Sequence, residues 1–395
     1  MDRPSAVERS LREAAPHEIF DVISSLVKRR HRARTVELLM ADYAMTRLQP
    51  VGVLPHTRTP VSVHDSGPGR AFGAQAPHCV YDGPGSMVTA YLPVSVRGDR
   101  LGVLSVALPV GEGGLPPEVL EELRDCADAL AHELVVAERD TDLFLQARRT
   151  ERLTLAAEMQ WQLLPGRSCA RPEYSLGAQL EPAYAIFGDC FDWSASADDL
   201  YVTVSNGMGE GIEAALLTNL AINALRNARR AGLDLGDQAY LADQAIFGQH
   251  RGSRYLSTLL LRFHLPTGGV EIIDAGSPRI WRLRKGVVEP IDLEGQMPLG
   301  MFEDTAYVPQ RFEVEPGDRL LFISDGVYDA LSPGGERYSL RALAGSISST
   351  RMLPASQVPR AMLQELLGHR GSGPAADDSL VLCLDWHGRP AAKRG

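Results

Sequence analysis

Four short clusters of acids and glycines carry the chemistry open to this chain. They are Phe187-Gly188-Asp189-Cys190-Phe191-Asp192, Ser205-Asn206-Gly207-Met208-Gly209-Glu210-Gly211, Ser324-Asp325-Gly326 and Asp377-Asp378-Ser379. Each falls where an apolar, strand-like run ends or begins. Carboxylates at strand ends converge when the strands share a sheet. Hard cations such as Mg²⁺ and Mn²⁺ take oxygen ligands and keep several waters. Two such ions can activate a water and clamp a phosphoryl oxygen during in-line displacement. Glycine beside the ligands lets a backbone carbonyl approach a metal. Taken singly, each cluster is also an ordinary turn signal. The loop 207–211 lacks the Gly-x-Gly-x-x-Gly spacing of a dinucleotide site, the downstream acid, and the Lys-Ser/Thr of a phosphate-binding loop.

Three regions would position these clusters. Residues 15–138 read as a small α+β domain. A strand-like run covers 35–40. A hairpin covers 92–108 around Arg97-Gly98-Asp99-Arg100, and Pro116-Pro117 opens a closing helix. Val119, Leu123, Cys126, Leu130 and Leu134 follow helical spacing in that helix. Residues 66–76 are Gly-rich and expected to be loop. Residues 139–165 read as a charged linker helix, stopped by Pro165-Gly166. It is either a solvated connector or a helix that pairs with its copy in a homodimer. Residues 166–386 alternate strands with turns. Strands are expected at 200–205, 255–263, 270–274, 280–283, 320–324 and 380–384. A long helix covers 212–231, with Ala215, Leu216, Leu220, Ile222 and Leu225 on its apolar side and Gly232 as its stop. Asp237 is expected to cap a second helix. Two helices among many strands make a sheet-rich α+β domain. A tail at 387–395 is expected to be disordered.

Composition narrows the function. The chain has 395 residues, 44% hydrophobic and 23% charged, a globular mixture. Lys plus Arg is 40 and Asp plus Glu is 50, a net charge of −10. That argues against a nucleic-acid binder, which needs a basic face. No apolar run approaches the roughly 20 residues of a membrane span, and the N-terminus lacks a signal core. Five unpaired-looking cysteines fit a reducing, cytoplasmic location.

In chain order, the clusters resemble a known family. The stretch from Gln162-Leu163-Leu164-Pro165 to Leu384 is similar to the metal-dependent serine/threonine protein phosphatases of the bacterial sporulation and stress-response branch. These are the RsbU-like and stage II sporulation protein E-like enzymes of the PPM superfamily. Further carriers are Asp274-Ala275-Gly276-Ser277-Pro278 and Pro298-Leu299-Gly300. The resemblance implies an αββα sandwich with Mn²⁺ or Mg²⁺ at one end. Asp189 would hold one metal through water, Asp325 and Asp377 would be direct ligands, and the Gly207 carbonyl would face the second metal. Asp378 is the alternative if the register shifts by one. The substrate implied is a phosphorylated STAS-type anti-anti-sigma factor. One position departs from the pattern: Asn206 stands where the family has a metal-bridging Asp. An amide oxygen is neutral, so the site loses a compensating charge. The chain is then a weakened phosphatase or a pseudophosphatase that regulates a partner by binding. Glu210 stands where many relatives have His.

The first region resembles a GAF sensor domain, on Val36-Glu37-Leu38-Leu39-Met40-Ala41-Asp42, the hairpin from Leu92-Pro93-Val94 to Gly102-Val103-Leu104-Ser105-Val106, and Ala131-His132-Glu133-Leu134. That implies a pocket between sheet and helices for a small molecule, or dimerisation. His78-Cys79 is an isolated pair that reads as loop chemistry, and His132 as a solvated residue.

Overall fold

The computed structural model describes residues 6–52, 60–83, 87–111, 113–181, 187–276, 278–338, 340–371 and 377–389. The chain divides into two units, Met1–Arg152 and Leu153–Gly395. Among the described residues, no helix is long and apolar enough to cross a membrane.

The N-terminal unit runs α1 (Ala6–Glu13), α2 (Ile19–His31), β1 (Thr35–Ala41), β2 (Arg47–Pro50), β3 (Val61–Ser62), α3 (Gly67–Ala74), β4 (His78–Tyr81), β5 (Met87–Val96), β6 (Asp99–Pro109), α4 (Pro117–Ala137) and α5 (Leu143–Ala147). Its sheet has the order β3-β2-β1-β6-β5-β4, antiparallel throughout. The expected hairpin joins β5 to β6 at Arg97-Gly98, both at positive φ, as a two-residue hairpin turn requires. Leu123, Cys126, Leu130 and Leu134 of α4 are buried against α2 and the sheet.

Two expectations fail here. The Gly-rich stretch is not a loop but α3. Ser66 caps it by accepting the Gly69 N–H at 3.0 Å, and Ala71 and Phe72 are buried. The linker is not one helix. α4 ends at Ala137, α5 is a single short turn of helix, and residues 148–154 are irregular before the next helix begins. The continuous helix on which pairing in a homodimer was founded is therefore not there.

The C-terminal unit runs α6 (Leu155–Leu163), β7 (Ser168–Ala170), β8 (Tyr174–Glu181), β9 (Cys190–Ala195), β10 (Asp199–Gly207), α7 (Gly211–Arg230), α8 (Leu235–His250), β11 (Leu256–His264), β12 (Gly269–Ala275), β13 (Arg279–Arg284), β14 (Val287–Pro290), β15 (Gln310–Glu313), β16 (Arg319–Ile323), α9 (Asp325–Tyr328), α10 (Leu340–Ser349), α11 (Val358–Arg370) and β17 (Ser379–Trp386). One antiparallel sheet has the order β15-β12-β11-β10-β9 and the other β14-β13-β16-β17-β8-β7. Phe263 of β11 stacks on Trp386 of β17 at 6.0 Å, so the sheets face each other. The outer face of the first sheet packs under α6, α7 and α8 through Leu163, Leu217, Ile246, Leu260 and Ile273. The second packs under α10 and α11 through Leu321, Ile323, Leu343, Met362 and Cys383. This is the αββα sandwich expected. Strands buried on both faces read as near-continuous apolar runs, which is why residues 320–323 and 380–384 stood out.

The details differ in places. α10 and α11 add to the two helices expected. Asp234, not Asp237, caps α8, and it does so by accepting the Asp237 N–H at 2.9 Å. Of the apolar side expected for α7, Ala215, Ile222 and Leu225 are buried and Leu220 is half-buried, while Leu216 is 54% exposed; Ala214, Leu217 and Ala221 complete the buried face. In the expected tail, His387 and Gly388 N–H donate to the Glu173 carbonyl and Arg389 pairs with Asp198 and Glu173. Residues 390–395 lie outside the described residues, as does Ser277.

Candidate functional site

The acids gather where the two sheets meet at one end of the sandwich. Asp189 enters from the segment before β9, Asp325 from the start of α9 after β16, and Asp377 and Asp378 from the start of β17. Asn206 and Gly207 end β10, paired with Ser257 and Leu256 of β11. Gly207 lies flat against Gly188: a Cβ at Gly207 would meet the Gly188 carbonyl oxygen at 2.5 Å. Only glycine permits that approach, and it draws the end of β10 to the Asp189 segment. Gly326 is equally constrained, because a Cβ there would fall 1.7 Å from the Asp378 carbonyl oxygen. The Asp325 turn thus sits directly on the strand start that carries Asp377 and Asp378.

Hydrogen bonds separate the two neighbouring acids. Asp378 is fully buried, and its Oδ2 accepts the backbone N–H groups of Phe187, Gly188 and Asp189 at 2.7, 2.8 and 3.0 Å. It braces the segment that presents Asp189, which is a different task from the ligand role held open for it. Asp377 is half-buried, and its Oδ1 accepts the local N–H of Asp378 at 2.8 Å. Asp325 Oδ1 likewise accepts the Gly326 N–H at 2.8 Å. Asp189 is 1% exposed.

The electrostatics are those of crowded, desolvated acids. Burial, and then the charge of Asp378, pushes the Asp189 carboxyl well above the usual range, with Asp325 and Asp377 adding to it and a Ser324 hydrogen bond opposing. Burial also raises Asp378, against the pull of its three N–H donors. Burial raises Asp377, with Asp325 and Glu210 adding and Arg370 opposing. Among the described residues, Asp189 Oδ2 and Asp378 Oδ1 are buried without a hydrogen-bond partner. Buried carboxylate oxygens normally have one, and like charges this close favour a cation among them. The donors are all hard oxygens, so Mg²⁺ or Mn²⁺ fits their chemistry. Among the described residues, no group of three His, Cys, Asp or Glu side chains stands preassembled as a cation cage.

Other sequence candidates have structural duties. Asp192 is 3% exposed and pairs with Arg226 and Arg229 of α7 at 2.7 and 3.1 Å. Asp274 Oδ1 accepts the Gly276 N–H at 3.0 Å. The Pro298-Leu299-Gly300 turn is fixed by buried Asp243, which accepts from Gly300 N–H at 2.7 Å and the Tyr307 hydroxyl at 2.9 Å. Glu210 is exposed. His78 stacks on Tyr91, and burial pushes the Cys79 thiol up. His132 is exposed. Sequence reasoning missed Arg370, whose Nη2 donates to the Gly326 carbonyl and to Ser379 Oγ at 2.5 and 2.8 Å. It also missed Ser324 and Thr218. Ser324 stands inside the Ser324-Asp325-Gly326 cluster but was given no role of its own, whereas Arg370 and Thr218 sit in no local motif, so nothing in the sequence marked them.

Residues 196–387 match the family model for stage II sporulation protein E (SpoIIE). The phosphoserine phosphatase RsbU of Bacillus subtilis is 21% identical over 234 residues, 58% of this chain and 70% of RsbU. Protein IcfG of Synechocystis is 20% identical over 256 residues, 58% of this chain and 40% of IcfG. The chain thus spans well under half of one curated relative it matches. A solved SpoIIE phosphatase domain with a fragment of its regulatory domain, from Bacillus subtilis, is 18% identical at a TM-score of 0.49, covering 55% of this chain and 64% of that one. PstP, solved with two manganese ions, is 17% identical at a TM-score of 0.39 and covers 54% of this chain and 98% of that one.

Proposed function

We propose, from the SpoIIE-type phosphatase domain that this chain carries over residues 196–387, that it removes phosphate from phosphoserine or phosphothreonine on a signalling protein. A STAS-type anti-anti-sigma factor is the substrate proposed. The observation that supports the reading is the charge of Asp325, Asp377 and Asp378 acting on the buried Asp189 at one end of the sandwich, with Asp189 Oδ2 lacking a partner among the described residues. These three acids and the Gly207 carbonyl would hold Mn²⁺ or Mg²⁺. When bound, such ions supply an activated water and neutralise phosphoryl charge. The chain's own groups do the rest. Asp378 fixes the backbone of 187–189, Arg370 ties the Asp325 turn to the start of β17, and the Gly188–Gly207 contact aligns the end of β10.

Asn206 at the end of β10 favours a second reading, a pseudophosphatase that regulates a partner by binding. The N-terminal unit would act as a GAF-like sensor. A cavity of about 340 Å³ lies between its sheet and α3, lined by Glu37, Leu39, Pro50, Ser66, Tyr91 and Ser105, near the lower end of ligand-pocket sizes.

Mn²⁺-dependent hydrolysis of a generic phosphoester and of a phosphorylated STAS protein, by the parent chain and by Asn206→Asp, tests this. The Asp form should gain about 10²-fold, the usual scale for restoring one charge-stabilising group. Robust and equal turnover by both would remove the weakening assigned to Asn206. Inactivity of both, with retained partner binding, would establish the second reading.

A further inference from the structure

We propose that Gln160 is a positioning residue for Asp189, and that α6 thereby governs how the Asp189 carboxylate is presented. The inference deepens the metal-site reading above and rests on it for its consequence, though not for its geometry.

Residues 187–189 form no regular structure, yet Gly188 and Asp189 are buried. Their backbone polar groups need partners from elsewhere, and side chains supply them. The three N–H groups go to Asp378, the residue just before β17. The Gly188 carbonyl accepts from Thr218 Oγ1 of α7 at 2.8 Å. The Asp189 carbonyl accepts from Gln160 Nε2 of α6 at 2.5 Å. The segment therefore hangs from three elements. The bond from α6 is made to the acid's own peptide. The carbonyl and the carboxylate of Asp189 share one Cα, so loss of the Gln160 bond frees that peptide to rotate and turns the carboxylate with it.

Gln160 is an unexpected residue for packing alone. It is fully buried on a helix face otherwise made of Ala156, Ala157 and Leu163, and its Oε1 has no partner among the described residues. A half-satisfied buried amide is unfavourable, and an apolar side chain of similar volume would pack there without that penalty. The single bond it makes is what it contributes. α6 is also the first helix of the C-terminal unit, three residues past Arg152. Its last carbonyl region is tied in turn: Arg226 Nη2 donates to the Leu163 carbonyl at 2.7 Å and holds Asp192 with the same group.

The test uses the full chain and Gln160→Met, which keeps volume and removes the donor. Gln162→Ala is the control, since Gln162 lies on the same helix, exposed and bonded only to Glu158 at 3.2 Å. Hydrogen–deuterium exchange without metal reads the N–H groups of 187–189, and calorimetric titration with Mn²⁺ reads affinity. Gln160→Met should raise exchange at 187–189 with β16 and β17 unchanged, and weaken Mn²⁺ binding about tenfold, the scale for groups that orient metal ligands. Gln162→Ala should change neither. Unchanged exchange at 187–189 overturns the inference, and so does a rise spread evenly over the unit, which would mark a merely structural role. If Gln160→Met does not fold, Gln160→Glu keeps the shape and, when ionised, cannot donate, so the same readouts apply. Failure of the parent chain to bind Mn²⁺ would overturn the metal-site reading, while the exchange arms still decide the role of Gln160.

Discussion

At the scale of single residues, the site is a place where the fold holds acids under strain. Burial and mutual repulsion raise Asp189 and Asp378 above the ordinary carboxyl value near 4. A carboxyl whose pKa is higher folded than unfolded lends stability in acid and loses it as pH rises through the raised value. Without metal, the C-terminal unit should therefore lose melting temperature from about pH 4 upward on account of this pair. Asp189→Asn removes the charge. At neutral pH it should raise the metal-free melting temperature, by roughly 2–4 °C for each kcal/mol relieved in a unit of this size, and abolish the thermal shift given by Mn²⁺. An Asp189→Asn chain that melts lower than the parent and still shifts with Mn²⁺ would contradict this. Asn206-Gly207 invites a second expectation. Deamidation needs the Gly207 nitrogen to attack the Asn206 side chain. Both residues are paired into β11, and Gly207 is pressed on Gly188. Peptide mapping after storage of native protein should find Asn intact at 206, with conversion appearing only after unfolding.

At the scale of elements, α2 and α4 meet at a titratable contact. His31, the last residue of α2, faces Glu122 of α4 at 3.4 Å. Burial lowers its pKa, with Arg30 adding to that and Glu122 opposing. A histidine lowered on folding lends stability above its ordinary value near 6.5, and that stability is lost as pH falls through and below it. The N-terminal unit should melt lower at pH 5.5 than at 7.5, and His31→Gln should flatten that dependence. An unchanged slope in the variant would assign the acid sensitivity elsewhere. The elements also show what was legible in the sequence. β11, β16 and β17 were readable because burial on both faces leaves apolar runs, and β10 because Leu200, Val202 and Val204 alternate along it. The clusters at their ends were readable because a strand end followed by Asp-Gly is a local pattern. α3 was not, since three glycines lower helix propensity. Packing overrode that: a Cβ at Gly69 would strike the Val63 carbonyl oxygen at 2.2 Å, so its absence lets α3 settle closely. The bracing role of Asp378 was unreadable for another reason. Its partners lie about 190 residues away, and no local spacing encodes such a contact.

At the scale of the whole molecule, the two units have separate cores, and the residue at which the second begins is a physical question. The sequence placed the start at 166, after Pro165-Gly166. The structure places α6 inside the C-terminal unit: Ala156, Ala157, Gln160 and Leu163 are buried, and Leu163 belongs to the core beneath α7 and α8. A fragment of residues 166–395 would expose that core and leave the Asp189 carbonyl without its Gln160 donor. Full burial of a leucine is worth about 1.5–3 kcal/mol, and an unpaired buried carbonyl costs about 1–3 kcal/mol. At roughly 2–4 °C for each kcal/mol, the 166–395 fragment should melt at least about 5 °C below a 153–395 fragment. The longer fragment should reproduce one transition of the full chain, because separate cores unfold separately. Scanning calorimetry of the three proteins decides it. Equal melting temperatures for the two fragments would mean that α6 is a bystander to this fold, and the boundary would move back to residue 166.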